Sequence, residues 1–323
     1  VLRFLLVRAL LLVIFVLAAA SALQIVATLT PGDELAELRA AGVSGAALER
    51  EIARRGLDRS WTERYAQWLG RAARLDFGTS SRYDRPVAPL VASRAANTAI
   101  LALAAFALAV LVAVPLGTLA GSGRLPWLSA AASTTSLILV SLPPLVTALA
   151  LSLAAARTGW LPPGGMTTPG LDAAAPIASR AADIAVHLIV PALALALPIG
   201  AMIERVQAAA VAAGRAERHV LAAASRGVPP MRLLWSALWR PTAGPVAAFA
   251  GVVAGSLLSG SLAVELVTAW PGMGRLTFEA LSARDAPLAA GCAAAAAIVL
   301  AVWTTISDLA AGWLDPRLEG GGR

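Results

Sequence analysis

The chain has 323 residues, 58% of them hydrophobic and only 14% charged, with a mean hydropathy of +0.74. Soluble domains carry about 25% charged residues, so this composition excludes an ordinary soluble globule and points to a bilayer protein. All 26 basic residues are arginine and the formal net charge is +7; without lysine there is no Walker A phosphate lysine and no Schiff-base amine, which excludes ATP hydrolysis by a P-loop.

A bilayer core needs about 20 apolar residues of helix. Six charge-free runs meet that length: Ala9 to Leu29, Ala95 to Gly123, Leu125 to Ala156, Ile184 to Ile203, Pro241 to Val264 and Ala286 to Ser307. The expected fold is therefore an all-α integral membrane protein of six transmembrane helices. The first run follows Arg3 and Arg8 as a secretory signal would, but it exceeds an ordinary signal core and no clear A-x-A site follows it. It is read as a span.

Residues 30–94 are too polar to span. Ser44 precedes an Ala- and Glu-rich turn closed by Gly56, and Ser60 with Glu63 forms a capping box ahead of Trp61, Tyr65, Trp68 and Leu69 on one helical face. This predicts a helical extracellular loop, capping its own bundle or docking a partner. In the third run Ser141, Pro143 and Pro144 interrupt the helix, and Pro191 and Pro198 fall in the fourth; bending and exposure of carbonyls to an aqueous path are both open readings. His187 lies in that fourth run, read as a packed residue, with no second histidine near it.

Residues 204–240 carry Arg205, Arg215, Arg218, Arg226, Arg232 and Arg240 against Glu204 and Glu217. The positive-inside rule places this connection, and both termini, in the cytoplasm. The arginines lie in connections between spans, where membrane anchoring is the plainer role than nucleic-acid binding. Within it Val220, Leu221 and Ala224 form an apolar stripe, Gly227 breaks it, and Pro229 and Pro230 start a second helix. There Met231, Leu234, Trp235 and Leu238 recur at i, i+3, i+4, i+7, with Arg232, Ser236 and Arg240 on another face. An interfacial helix on membrane lipid and a knob for a soluble partner both fit.

Gly255, Ser256, Ser259, Gly260 and Ser261 put small residues through the fifth run, for close packing or for a polar path. Glu265 and Asp308 stand near span ends and read as anchors. The single cysteine, Cys292, lies inside the last run and reads as a packing residue. No catalytic dyad or metal cluster emerges, so no enzyme site, cofactor or metal is expected.

From Ala223, Gly227, Arg232, Ala237, Leu238, Arg240 and Pro245 the chain resembles the permease subunits of binding-protein-dependent ABC importers, in the dipeptide, oligopeptide and nickel branch. Residues 255–287 match the family's fifth-span exit and following turn at Gly255, Leu258, Gly260, Glu265, Trp270, Pro271, Gly272, Gly274, Arg284, Asp285 and Pro287. LDFGTS at 75–80 and Asp308, Leu314, Asp315, Pro316 and Arg317 resemble its outer loop and closing segment. One departure is Leu221, where the wider family's pattern has a glutamate.

The resemblance implies one transmembrane domain over residues 1–323, in the bacterial plasma (inner) membrane, forming half of a pore. It implies a second homologous permease, two ABC ATPase subunits and an extracellular or periplasmic solute-binding protein. The ATPase-coupling residues would be Ala223, Arg226, Gly227, Met231, Arg232, Leu234, Trp235, Leu238, Arg240 and Pro245; Ser141, Pro143, Ser256, Ser259 and Ser261 are pathway candidates. Short peptides are favoured over nickel, because the spans hold one Cys, one His and, of the methionines, only Met202. A proton-driven carrier would need intramembrane acids or paired histidines, and a passive scaffold would not need the Gly227 knob.

Overall fold

The computed structural model describes residues 2–29, 44–55, 60–72, 74, 76–171 and 175–314. Gly56, Leu75, Asp315, Pro316 and Arg317 lie outside the described residues. Among the described residues every regular element is a helix, with one isolated bridge between Thr79 and Pro86. In chain order these are α1 (Leu2–Leu29), α2 (Ala46–Arg55), α3 (Trp61–Ala72), α4 (Val87–Gly121), α5 (Pro126–Ser141), α6 (Pro144–Thr158), α7 (Ile177–Gly214) and α8 (Arg218–Ser225). A turn at Pro230–Arg232 and a π-helical segment at Leu233–Leu238 lead into α9 (Trp239–Val267), followed by α10 (Met273–Ser282) and α11 (Ala286–Leu314).

Four helices are long and apolar enough to cross a membrane, namely α4, α7, α9 from Thr242, and α11. The expected third span is instead two helices, α5 and α6, bent by 101°. The cause is Leu142-Pro143-Pro144: a residue before proline is driven out of the helical region, and Leu142 is extended at φ −85°, ψ 120°. Pro143 (φ −61°, ψ 143°) then opens α6 with Pro144 in its first turn, where a missing N–H costs nothing. Counted as one broken span, the pair makes five. Within α1 the apolar stretch Leu6–Ala22 is shorter.

The chain divides into two compact units, residues 1–93 with 276–298 and residues 94–275 with 299–323. In the first, Ser60 and Glu63 cap α3 reciprocally: the Glu63 N–H donates to Ser60 Oγ at 3.3 Å and the Ser60 N–H to Glu63 Oε2 at 3.2 Å. Tyr65 and Trp68 stack with ring centroids 5.8 Å apart, and the Tyr65 hydroxyl donates to Ser21 Oγ on α1 at 2.8 Å. The amphipathic helix is thus seated on α1. Asp285, fully buried, receives the Ser80 hydroxyl at 2.5 Å and the Arg82 N–H at 3.0 Å, and also the Leu288 N–H at 3.1 Å at the start of α11.

In the second unit, Leu101, Ala105, Ala109 and Ala113 of α4 recur at i, i+4, i+8, i+12 and pack with Ala192, Leu195, Ile199 and Ile203 of α7 and Val253, Leu257 and Val264 of α9. Small side chains let the backbones close up. At Gly117 an added Cβ would sit 2.5 Å from the Glu204 carbonyl oxygen, and Gly121 meets Ala208 in the same way. Helix α7 runs unbroken through Pro191 and Pro198. Pro198 has no N–H for the carbonyl of Ala194, and the Thr147 hydroxyl of α6 takes that place at 2.9 Å. Phe106 and Trp303 meet edge to face at 5.0 Å, and the Trp303 indole donates to Ala250 O at 3.0 Å.

Candidate coupling segment, turn and translocation cleft

Helix α7 continues to Gly214, so the break after the fourth span falls at Arg215 and not at Glu204. Helix α8 ends at a turn in which Gly227, at φ +76°, donates its N–H to Ala224 O at 3.0 Å while Val228 donates to Ala223 O at 3.3 Å. Nothing lies within 4 Å of a Cβ added at Gly227. Glycine is required there by backbone conformation alone.

The second helix is not a separate surface element. Its Pro230 turn passes through the π segment straight into α9, so any displacement of the turn acts directly on a span. The expected apolar face also divides. Leu234 is buried with Val211 of α7 and Val220 of α8, with Leu119 and Leu233 packed around them, whereas Met231 is 52% and Trp235 40% exposed. Ala223 is half-buried, while Arg226, Arg232 and Pro245 are exposed, the last inside α9. Arg226 Nε donates to Ala222 O at 3.1 Å. The side chains of Leu238 and Arg240 lie outside the described residues. Below this cluster the Gln207 amide, fully buried, donates to Thr118 Oγ1 at 2.9 Å and to Thr242 Oγ1 at 3.2 Å, tying α7 to α4 and α9.

At the other end of α9 the turn residues form a dense hydrogen-bonded knot. Glu265 is fully buried; its Oε1 accepts from the Thr98 hydroxyl at 2.7 Å and its Oε2 from the Arg275 N–H at 2.9 Å. Thr98 Oγ1 in turn accepts from the Met273 N–H at 2.7 Å. The Trp270 indole donates to Asn97 O at 3.1 Å, and Asn97 Nδ2 donates to Pro271 O at 2.8 Å. A Cβ at Gly272 would overlap the Glu265 carboxylate, and one at Gly274 would lie 2.6 Å from Leu262 Cα. Both carboxylate oxygens accept from donors of the turn and of α4, an arrangement consistent with the expected anchor. Arg284, at φ +53°, and Asp285, whose N–H donates to Ala280 O at 2.8 Å, close α10 with the left-handed turn that glycine usually supplies.

The expected pathway residues lie on α5, at the bend before α6 and on α9, and a Cβ added at Gly260 of α9 would lie 3.2 Å from Pro144 Cγ. Ser141 Oγ donates to Leu137 O at 2.8 Å and Ser261 Oγ to Leu258 O at 3.0 Å, each within its own helix; Ser256 is half-buried and Ser259 exposed. Pro143 makes the bend. A cavity of about 380 Å³ with charged lining is formed by Ser129, Ser133, Glu204, Arg205, Ala208 and Arg215 among others. Sequence reasoning missed it by ending the span at Ile203. The signal was present in the hydroxyls of Ser129, Ser133 and Ser136 at i, i+4, i+7 on α5. His187 Nδ1 lies 2.9 Å from Asp183 O, and Asp183 accepts from the Thr168 hydroxyl at 2.6 Å and its N–H at 2.9 Å. Among the described residues no three His, Cys, Asp or Glu side chains group as metal ligands would.

The sequence profile of the family described as binding-protein-dependent transport system inner membrane component matches residues 113–320. The chain belongs to that family. It is an ABC-transporter permease, a multi-pass membrane component of a transport system. A protein of Brucella suis biovar 1, provisionally named a peptide permease, is 31% identical over 90% of this chain and 91% of its own length. The oligopeptide transport system permease protein AppB of Bacillus subtilis is 28% identical over 90% of each chain. A permease of Escherichia coli K12, provisionally named for D,D-dipeptide transport, is 28% identical over 92% of each.

Proposed function

We propose that this permease is one of two such subunits in an ATP-driven importer of short peptides. The supporting observation is the near full-length likeness to relatives whose names all specify peptides, at up to 31% identity; none of the three names nickel. Deleting the gene should abolish growth on di- or oligopeptides as sole source of a required amino acid. Loss of nickel uptake with normal peptide use would overturn the assignment.

Six spans result when α1 is taken as the first and the bent pair α5 and α6 as the third. The arginines of residues 204–240 then lie in the cytoplasm with both termini, and residues 30–94 lie outside. A cysteine placed at Trp160 should be labelled from outside and one at Leu221 only from inside; the reverse would overturn this topology. On the cytoplasmic side, Met231, Trp235 and Arg232 are offered to one of two ATPase subunits, and a solute-binding protein delivers the peptide on the other side. ATPase closure pushes on the Gly227 turn, and the Val211, Val220 and Leu234 cluster passes that push to α7 and α9. The two ATPase states thereby select two helix arrangements. The purified chain alone should hydrolyse no ATP, activity appearing only with the ATPases and the second permease.

A further inference from the structure

We infer that the cleft between α5 and α7 holds the peptide transiently on its passage, with Glu204 receiving its ammonium end and Arg205 and Arg215 its carboxylate end. This rests on the peptide reading above and names the contacts that reading lacks. Glu204 is 3% exposed, at the end of an apolar stretch of α7 and just before Arg205 and Gln207, and its Oε2 accepts from the Ser136 hydroxyl at 2.5 Å. A carboxylate has about four acceptor positions, so one hydroxyl leaves room for a cationic donor. Glu204 lines two spaces. One is the cavity of about 380 Å³ with charged lining; the other is an apolar slot of about 160 Å³ lined by Leu108, Val112, Leu139 and Leu197 among others. A peptide amino terminus with an apolar first side chain has that same division of chemistry.

Spacing sets the length. Glu204, Ala208, Ala212 and Arg215 follow one stripe of α7 along the cavity wall, and at 1.5 Å per residue Arg215 stands about 16 Å from Glu204 along the axis. An extended peptide covers about 3.3–3.6 Å per residue, so about four or five residues bridge the two charges; shorter peptides meet Arg205. Between them the wall is Ala208, Ala212, Gly121 and Gly123, with Gly121 packed on Ala208 and Gly123 beneath the Arg215 guanidinium, while Ser129 and Ser133 of α5 offer hydroxyls to peptide amides. These partners serve any sequence, as an importer whose selectivity resides in a separate binding protein requires. The mouth at Arg215 immediately precedes α8, so movement of the Gly227 turn acts on the cleft.

The test uses the whole complex in proteoliposomes, with its binding protein and tetraalanine as probe. Glu204→Gln keeps the volume and an acceptor for Ser136 but removes the charge; uptake should fall at least tenfold with the permease present in normal amount, and Glu204→Asp should recover most of it. In a Cys292→Ala background, Ser133→Cys modified by a bulky methanethiosulfonate should lose uptake, and binding protein loaded with tetraalanine should slow the modification. Wild-type uptake in Glu204→Gln, or full uptake after complete modification at position 133, would overturn the site. Loss in Arg215→Gln that anionic lipid restores would assign the arginines to headgroups and also overturn it. No tetraalanine uptake by the wild-type complex would instead overturn the peptide reading itself.

Discussion

Helix α9 has two ends, both punctuated by glycine and proline, and they are built in opposite ways. At Val267 the chain turns through a buried knot in which Glu265, Thr98, Asn97, Trp270 and the backbone at 271–275 satisfy one another, and Gly272 and Gly274 exist because no Cβ fits. At Trp239 the chain arrives through a π segment from the Gly227 turn, where an added Cβ would meet nothing within 4 Å; Leu234 packs there against Val211 and Val220, and Thr242 accepts from the buried Gln207 amide. Buried polar networks that are fully satisfied rigidify, whereas a small apolar cluster slides. On the proposed function α9 would act as a lever whose driven end carries exposed Met231, Trp235 and Arg232.

The largest effect should come from breaking the fixed end. Glu265→Ala leaves the Thr98 hydroxyl and the Arg275 N–H buried without an acceptor and opens a cavity, a cost of about 3 kcal/mol or more. The permease should be depleted from the membrane and melt at lower temperature in detergent. Glu265→Gln keeps one acceptor and should lose less. Equal abundance and melting in all three proteins would mean that the knot is not the fixed point.

Next is Leu234→Ala, which empties the centre of the driven end at a cost of about 2–4 kcal/mol locally. Because that cluster joins α8 to α7, the expected outcome is a complex that assembles and hydrolyses ATP while transporting several-fold less peptide per ATP. Tight coupling in this variant would show that the push travels by another route. Gly227→Val forces a β-branched residue to φ +76°, a strain of about 1–3 kcal/mol. It should leave membrane insertion intact but weaken ATPase copurification, while Gly227→Asn, which tolerates that region, should retain most of it. Arg232→Glu should alter association, since the side chain is exposed; unchanged copurification and uptake would favour an interfacial helix on lipid.

The difference between the two ends explains what was legible in the sequence. Glycine and proline signals are local, so the break at Leu142-Pro143, the Gly227 turn and the Ser60 and Glu63 cap could be read directly. Partner choice is not local. Nothing in the order of residues says that Thr98 meets Glu265, 167 positions away, or that Ser129 and Ser133 line a cavity together with Glu204. A polar residue also fails to end a helix whose backbone bonds continue; α7 runs past Glu204 and buries it, so the acid that composition placed in a loop belongs to the bundle. The Leu234 position illustrates the same limit, because i, i+3, i+4, i+7 spacing identifies a face but not which of its members the rest of the chain covers.

The smallest effect concerns the helix that follows the fixed turn. Glu279 on α10 accepts a hydrogen bond from the Tyr83 hydroxyl at 2.5 Å, half-exposed rather than buried. That bond, then partial burial and the carboxylate's charge, raise the Tyr83 phenol above its ordinary value. Deprotonation would remove the donated proton and set a phenolate against a carboxylate. The stabilisation is therefore complete below the ordinary phenol pKa of about 10 and disappears as pH rises through the raised value. Solvent screening limits it to about 0.5–1 kcal/mol. Hydrogen exchange at residues 79–86 should be faster in Tyr83→Phe than in wild type at neutral pH, and the two should converge well above pH 10. A difference that persists at high pH would show that the protection does not depend on the proton donated to Glu279.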